Sequence, residues 1–114
     1  MRISDYHFKN NTFKKETILS YLKDVKSKYK REGFLIKALF GSYSRDEADS
    51  NSDIDILVEA TPKFASIYGF GAIARINEIQ LELSDALGVK VDLADSTGMS
   101  KTAKKFIIDR AIYV

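Results

Sequence analysis

Two short runs, Phe34–Phe40 and Asp53–Ala60, have the residues of β-strands, and only twelve mostly polar residues separate them. The first, FLIKALF, holds one charge in seven residues and is closed by Gly41, which suits a mostly buried strand. The second alternates: Ile54, Ile56 and Val58 share one face, and Asp53, Asp55, Leu57 and Glu59 the other. Pro62 ends it, since proline cannot donate to a ladder. A third run, Val89–Ala94, sets Val89, Val91 and Leu93 against Lys90, Asp92 and Ala94. Between the second and third runs, Ile67, Phe70, Ile73, Ile76, Leu83 and Leu87 recur with a helical period. Gly69 and Gly71 weaken the first turn of that helix, and Gly88 stops it.

The flanks read as helices too. Residues 12–31 place Ile18, Leu22, Val25 and Tyr29 on one stripe of a lysine-rich cylinder, with Thr12 as N-cap and Gly33 just past the end. A last helix, from about Ser100 to Arg110, is expected to bury Ala103, Phe106 and Ile107, and Ile112–Val114 offers a short terminal strand. The order α, β, loop, β, α, β, α predicts an α/β (α+β) fold, with one small mixed sheet flanked by helices, in a single domain over residues 1–114. No apolar run approaches the roughly 20 residues of a membrane span. The first residues, with Asp5, lack the apolar core of a signal peptide, so the expectation is a soluble cytoplasmic protein.

Composition narrows the chemistry. The 114 residues include no cysteine and one histidine, His7, which argues against disulfides, thiolate zinc sites, cysteine nucleophiles and Ser-His-Asp triads. Carboxylates, hydroxyls, lysines and arginines remain. Eighteen basic against sixteen acidic side chains give a net charge of +2, too weak a bias to call for direct nucleic-acid binding. The lysines of the first helix are most simply its wet face, with a surface for RNA or an acidic partner as the minority reading.

Three acids stand out together. Asp53 and Asp55 are two apart on a strand, so they share a face about 7 Å apart. Asp92 occupies the polar face of the next strand, and pairing of the two strands would bring three carboxylates to one patch. Such a patch resists ionisation unless a cation compensates, and oxygen-only ligands favour Mg²⁺ or Mn²⁺ over zinc. Gly41 and Ser42, at the end of the first strand, offer close backbone approach and N–H and hydroxyl donors to phosphate oxygens, and Arg45 stands one turn on. Each feature alone has a plainer meaning. A lone D-x-D is usually a solvated face, Gly-Ser a turn, and Asp92 a surface residue. Their joint order is what singles them out.

Other motifs fail. Asp49, Asn51 and Asp53 mimic the start of a calcium loop, but Ile54 replaces its glycine and Ala60 its final glutamate. Neither a G-x-x-x-x-G-K-[ST] loop nor a G-x-G-x-x-G fingerprint is present. Tyr43, Tyr68 and Tyr113 read as packing or rim residues rather than base-stacking platforms.

Leu39-Phe40-Gly41-Ser42-Tyr43-Ser44-Arg45 followed by Ser52-Asp53-Ile54-Asp55-Ile56-Leu57-Val58 resembles the G-S-x-x-R…S-D-x-D-L signature of the minimal nucleotidyltransferases, within the DNA polymerase β-like superfamily. Val89-Lys90-Val91-Asp92-Leu93 resembles the later strand that brings the third acid. The resemblance runs from about Phe34 to the C-terminus. It implies the nucleotidyltransferase fold and transfer of a nucleoside monophosphate from a triphosphate, with release of pyrophosphate. It also implies two divalent ions, Mg²⁺ or Mn²⁺, held by Asp53, Asp55 and Asp92, with ATP as substrate. By the same resemblance Ser42 and the Gly41 corner would grip the β/γ phosphates, and Arg45 would brace the loop or the phosphate tail. Asp92 would be the acid whose loss spares triphosphate binding most. One departure is Asp46, where the family often has glycine; a negative side chain there would either weaken triphosphate binding or simply face solvent.

Small free-standing members resemble the antitoxin half of a toxin–antitoxin pair, whose partner is a helical HEPN-domain ribonuclease. The resemblance implies addition of AMP to a tyrosine of that toxin. A one-domain transferase without a substrate lobe would need its acceptor delivered by a docked protein. The alternatives are an antitoxin that neutralises by binding alone with a silent site, and transfer to a small molecule. Base preference, acceptor and number of nucleotides added are left open, as is a homo-oligomer.

Overall fold

The computed structural model describes residues 15–49, 51–108 and 110–114, without the side chains of residues 104 and 106–108. His7, Thr12, Phe106 and Ile107 therefore lie, wholly or in their side chains, outside the description. Helix α1 spans Lys15–Lys30 and buries Ile18, Leu22 and Tyr29, the expected stripe, with Val25 partly buried beside them. It is stopped at Gly33, whose φ of 82° an L-residue rarely adopts. A Cβ there would also lie 2.6 Å from the Phe64 backbone nitrogen and 2.8 Å from Thr61 Oγ1. Thr61 closes the contact by donating its hydroxyl to the Gly33 carbonyl at 2.6 Å.

The chain continues through β1 (Phe34–Phe40), β2 (Ile54–Ala60), α2 (Pro62–Tyr68), a 3-10 turn (Gly69–Gly71), α3 (Ala72–Leu87), β3 (Val91–Asp95), α4 (Lys101–Ile108) and β4 (Ile112–Tyr113). The four strands form one mixed sheet in the order β3-β2-β1-β4. β1 runs antiparallel to β2 and β4, whereas β2 and β3 are parallel and joined by the α2–α3 crossover. This is the mixed sheet flanked by helices anticipated from the pattern of the sequence. A bulge at Lys37 shifts the β1–β2 register between Ile36 and Ala38. The extra residue lets Phe34, Ile36 and Leu39 all join the core with Ile54, Ile56 and Val58, although strict alternation would turn Leu39 outward. Ile79, Leu83 and Leu87 of α3 and Val91 of β3 complete that face. Asp55 and Asp92 alternate with these core residues and so stand on the opposite side of the sheet.

An ionic cluster ties the helices together at the edge of the core. Arg75 donates through Nε and Nη2 to the two oxygens of Glu32, both at 2.7 Å, and through Nη1 to Glu82 at 2.9 Å. Tyr68 donates to Glu32, and Tyr29 to Glu82 at 2.7 Å. Burial first, and the bond to Glu82 second, raise the Tyr29 phenol above its ordinary value.

Three expectations need correction. The helix expected over Ile67–Leu87 is two helices with a 3-10 turn between them, because Gly69, at φ 52°, breaks the period. The buried stripe restarts from Ala72 through Ile76, Ile79, Leu83 and Leu87, and Ile67, Phe70 and Ile73 fall off it into solvent. Ala103, expected in the core, is exposed in the first turn of α4, where its N–H is taken by Ser100 Oγ at 3.2 Å. The third strand begins at Val91 rather than Val89, because Gly88 caps α3 in a left-handed conformation and Ser84 Oγ accepts the Val91 N–H. Among the described residues no helix is long and apolar enough to cross a membrane.

Candidate active site

β1 ends at Phe40, and the φ of 76° at Gly41 turns the chain into a tight loop over residues 42–46. The loop is closed on itself. Ser44 donates both its N–H (3.1 Å) and its hydroxyl (2.7 Å) to the Gly41 carbonyl. Glu47 and Arg45 donate their N–H groups to the Ser42 carbonyl at 2.9 and 3.2 Å. Gly41 must be glycine for a second reason: a Cβ there would run into Asp55 Oδ2 and lie 3.1 Å from Asp55 Cγ. The backbone of the donor loop thus rests directly on the carboxylate of β2.

The parallel pairing sets Asp55 opposite Asp92 in register, and Asp53 immediately precedes β2. The three acids expected to act together are therefore neighbours on one side of the sheet. Asp55 is held above the ordinary aspartate value of 3.8, first by burial and then by the Asp92 and Asp53 charges, with Arg45 pulling the other way. That is the signature of carboxylates crowded without enough positive charge. Arg45 does not stand free: its Nε donates to Glu47 at 3.1 Å. The Asp46 carboxylate is engaged by Lys15 of α1 at 2.9 Å, and its φ of 58° explains why glycine suits that position.

Three further residues matter for which the sequence assigned no role at this site. Ser44 is buried, and its hydroxyl locks the loop to Gly41; only its place in the quoted G-S-x-x-R motif hinted at it. Asp49 caps the second half of the connection, accepting from Asn51 N–H at 2.9 Å and from the Ser52 hydroxyl at 3.2 Å. Lys90 sends its ammonium towards the acids, and no signal in the sequence beyond its polar position on the third run pointed to that.

The donor set is oxygen-only and short of positive charge, and this chemistry fits a hard divalent cation such as Mg²⁺ or Mn²⁺. As the side chains stand, no three His, Cys, Asp or Glu residues among those described are set to hold an ion. Gathering Asp53, Asp55 and Asp92 around one cation thus requires side-chain rotation, with the backbone neighbours already in place.

Comparisons with known proteins agree on the class. Residues 18–114 match the family described as Nucleotidyltransferase domain. MJ0128 of Methanocaldococcus jannaschii, named as a candidate protein adenylyltransferase, is 38% identical over 104 residues, spanning 84% of this chain and 97% of its own. Protein adenylyltransferase MntA of Thermococcus cleftensis is 33% identical over 86 residues, covering 74% of this chain and 80% of its own. A solved structure of a candidate minimal nucleotidyltransferase superposes with a TM-score of 0.69 at 28% identity, covering 90% of this chain and 97% of that one. A toxin–antitoxin crystal structure with AMP-PNP gives a TM-score of 0.57 at 28% identity, over 89% of this chain and 72% of that one.

Proposed function

We propose that this chain, which belongs to the nucleotidyltransferase domain family, transfers AMP from ATP to a hydroxyl of a partner protein. Asp53, Asp55 and Asp92 would hold the divalent ions, and Gly41, Ser42 and Arg45 the triphosphate. The observation that carries the reading is Asp55, flanked in register by Asp92 and touched by the Gly41 corner, so that acids and phosphate donors share one small volume. Bound divalent metal would supply acidification of the acceptor hydroxyl and charge neutralisation at the departing pyrophosphate. The chain's own residues would do the positioning. The Gly41 turn presents backbone next to Asp55, Ser42 offers a hydroxyl at the entrance of that turn, and Ser44 keeps it rigid. Arg45, held beside the acids by Glu47, places a guanidinium at the same rim.

The acceptor is proposed to be a protein for two reasons. Relatives are named protein adenylyltransferases, and a structural neighbour is a toxin–antitoxin complex with AMP-PNP. A HEPN-domain ribonuclease toxin is the partner that the family resemblance implies, with this chain as its cytoplasmic antitoxin. In a direct test, the chain is incubated with Mg²⁺, labelled ATP and the product of the adjacent gene. Label is expected on that product and is expected to vanish with Asp53→Ala; no label, or undiminished label in the variant, sinks the proposal. A second reading, neutralisation by binding alone, is favoured by the Lys90 ammonium facing Asp53 and Asp92, where a metal is wanted. Toxin inhibition that survives the Asp53→Asn, Asp55→Asn double variant would support it.

A further inference from the structure

Lys90 has no part in the transfer roles given to the acids and the Gly41 loop, yet its Nζ lies 3.9 Å from Asp53 Oδ2 and 3.7 Å from Asp92 Oδ1. The backbone fixes it there. Its carbonyl accepts the Ile54 N–H at 2.9 Å, which clamps Lys90 beside the first residue of β2. The next N–H, of Val91, is bound to Ser84 Oγ at 2.9 Å, and Gly88 has just ended α3. Only the four-carbon stem can swing. The head is an exposed ammonium, a single positive charge that shares the two carboxylates a divalent ion would need.

We propose that Lys90 is a tethered counter-cation of the acid cluster, which a free divalent ion must displace, so that metal enters together with its nucleotide rather than ahead of it. The proposal rests on the reading that Asp53, Asp55 and Asp92 hold metal. A free ion gains only carboxylate oxygens and competes with the lysine for them. An ion already carrying triphosphate oxygens arrives with part of its coordination complete, and the anionic phosphates give the released ammonium a new partner. Lys90 is thus a positioning residue that sets the order of loading.

The test is a Mn²⁺ titration followed by electron paramagnetic resonance on the whole chain, with and without AMP-PNP. It compares wild type with Lys90→Met, Lys90→Gln, Asp55→Asn and, as a charge control on the exposed face of α1, Lys23→Met. Exposed ion pairs are each worth a small factor, so losing both should tighten binding of Mn²⁺ alone about fivefold in either Lys90 variant. With AMP-PNP present the difference should shrink to less than about twofold, and Lys23→Met should match wild type. Equal Mn²⁺ affinity in wild type and both Lys90 variants overturns the proposal, and so does an equal gain in Lys23→Met. If Asp55→Asn binds Mn²⁺ as tightly as wild type, the metal-site reading itself falls and takes the proposal with it, an outcome distinct from the other two.

Discussion

Replacing Gly41 with alanine is the sharpest perturbation of this site, because it separates backbone strain from collision. At φ 76° an L-residue carries about 1–2 kcal/mol of strain. The new methyl would also strike the Asp55 carboxylate, and at 3.3 Å from Asp55 Cβ it is too near for rotation of the carboxyl alone to clear it. Forcing Asp55 off its rotamer adds roughly 0.5–1.5 kcal/mol, for a total of about 1.5–3.5 kcal/mol. Gly69→Ala supplies the control, since Gly69 has φ 52° but nothing within 4 Å of a Cβ. Its ψ of −126° lies outside the left-handed helical region, so the change should cost about 1–3 kcal/mol, all of it strain. Urea unfolding measures both costs, and AMP transfer is then compared per folded molecule. Gly41→Ala should transfer about a hundredfold more slowly, the scale of loss expected when a reacting group is misplaced by an ångström. Gly69→Ala should transfer normally. If Gly41→Ala works as well as Gly69→Ala per folded molecule, the contact between the loop and Asp55 does not organise the site.

Other expectations follow from the charges. Asp55 is raised above 3.8 in the fold, so the folded chain keeps its proton where the unfolded chain has lost it, and stability falls as pH rises through that window. Asp55→Asn should therefore raise the thermal midpoint at pH 7 while abolishing transfer; a lowered midpoint refutes this. Arg75→Met should cost about 3 kcal/mol by urea unfolding, because it strands Glu32 and Glu82 at the edge of the core. Glu32 is held below 4.5 mainly by its bond to Arg75, so its stabilisation is present above that value and lost as pH falls through the lowered one. That acid-side loss should disappear in Arg75→Met and persist in wild type, as pH-dependent unfolding curves would show. Asp46→Gly trades an exposed ion pair for relief of a left-handed residue, so stability should stay within about 0.5 kcal/mol. AMP-PNP affinity should stay within about twofold. A tenfold gain in affinity would mean that the Asp46 charge does reach the phosphates.

The sheet and the acid neighbours were legible because strand alternation is local: Ile54, Ile56 and Val58 announce which way Asp55 points, and Val91 does the same for Asp92. The parallel pairing that sets Asp55 beside Asp92 follows from a helix lying between the two strands. What stayed hidden depended on contacts made at a distance. The Lys37 bulge leaves no mark in FLIKALF, since seven nearly apolar residues fit either register. The Gly69–Gly71 break was visible as weakness, but not as a displacement of Phe70 into solvent. Lys90 and Lys15 looked like ordinary surface lysines until folding set acids opposite them.

The strand order has one more consequence. β2 lies between β3 and β1, whereas β3 forms an edge of the sheet. Amide hydrogens of β2 should thus be among the slowest to exchange with deuterated solvent, and those around Asp92 faster. Asp55 on the inner strand would act as a fixed anvil, and any adjustment to ions of different radius would come from Asp92 on the outer strand.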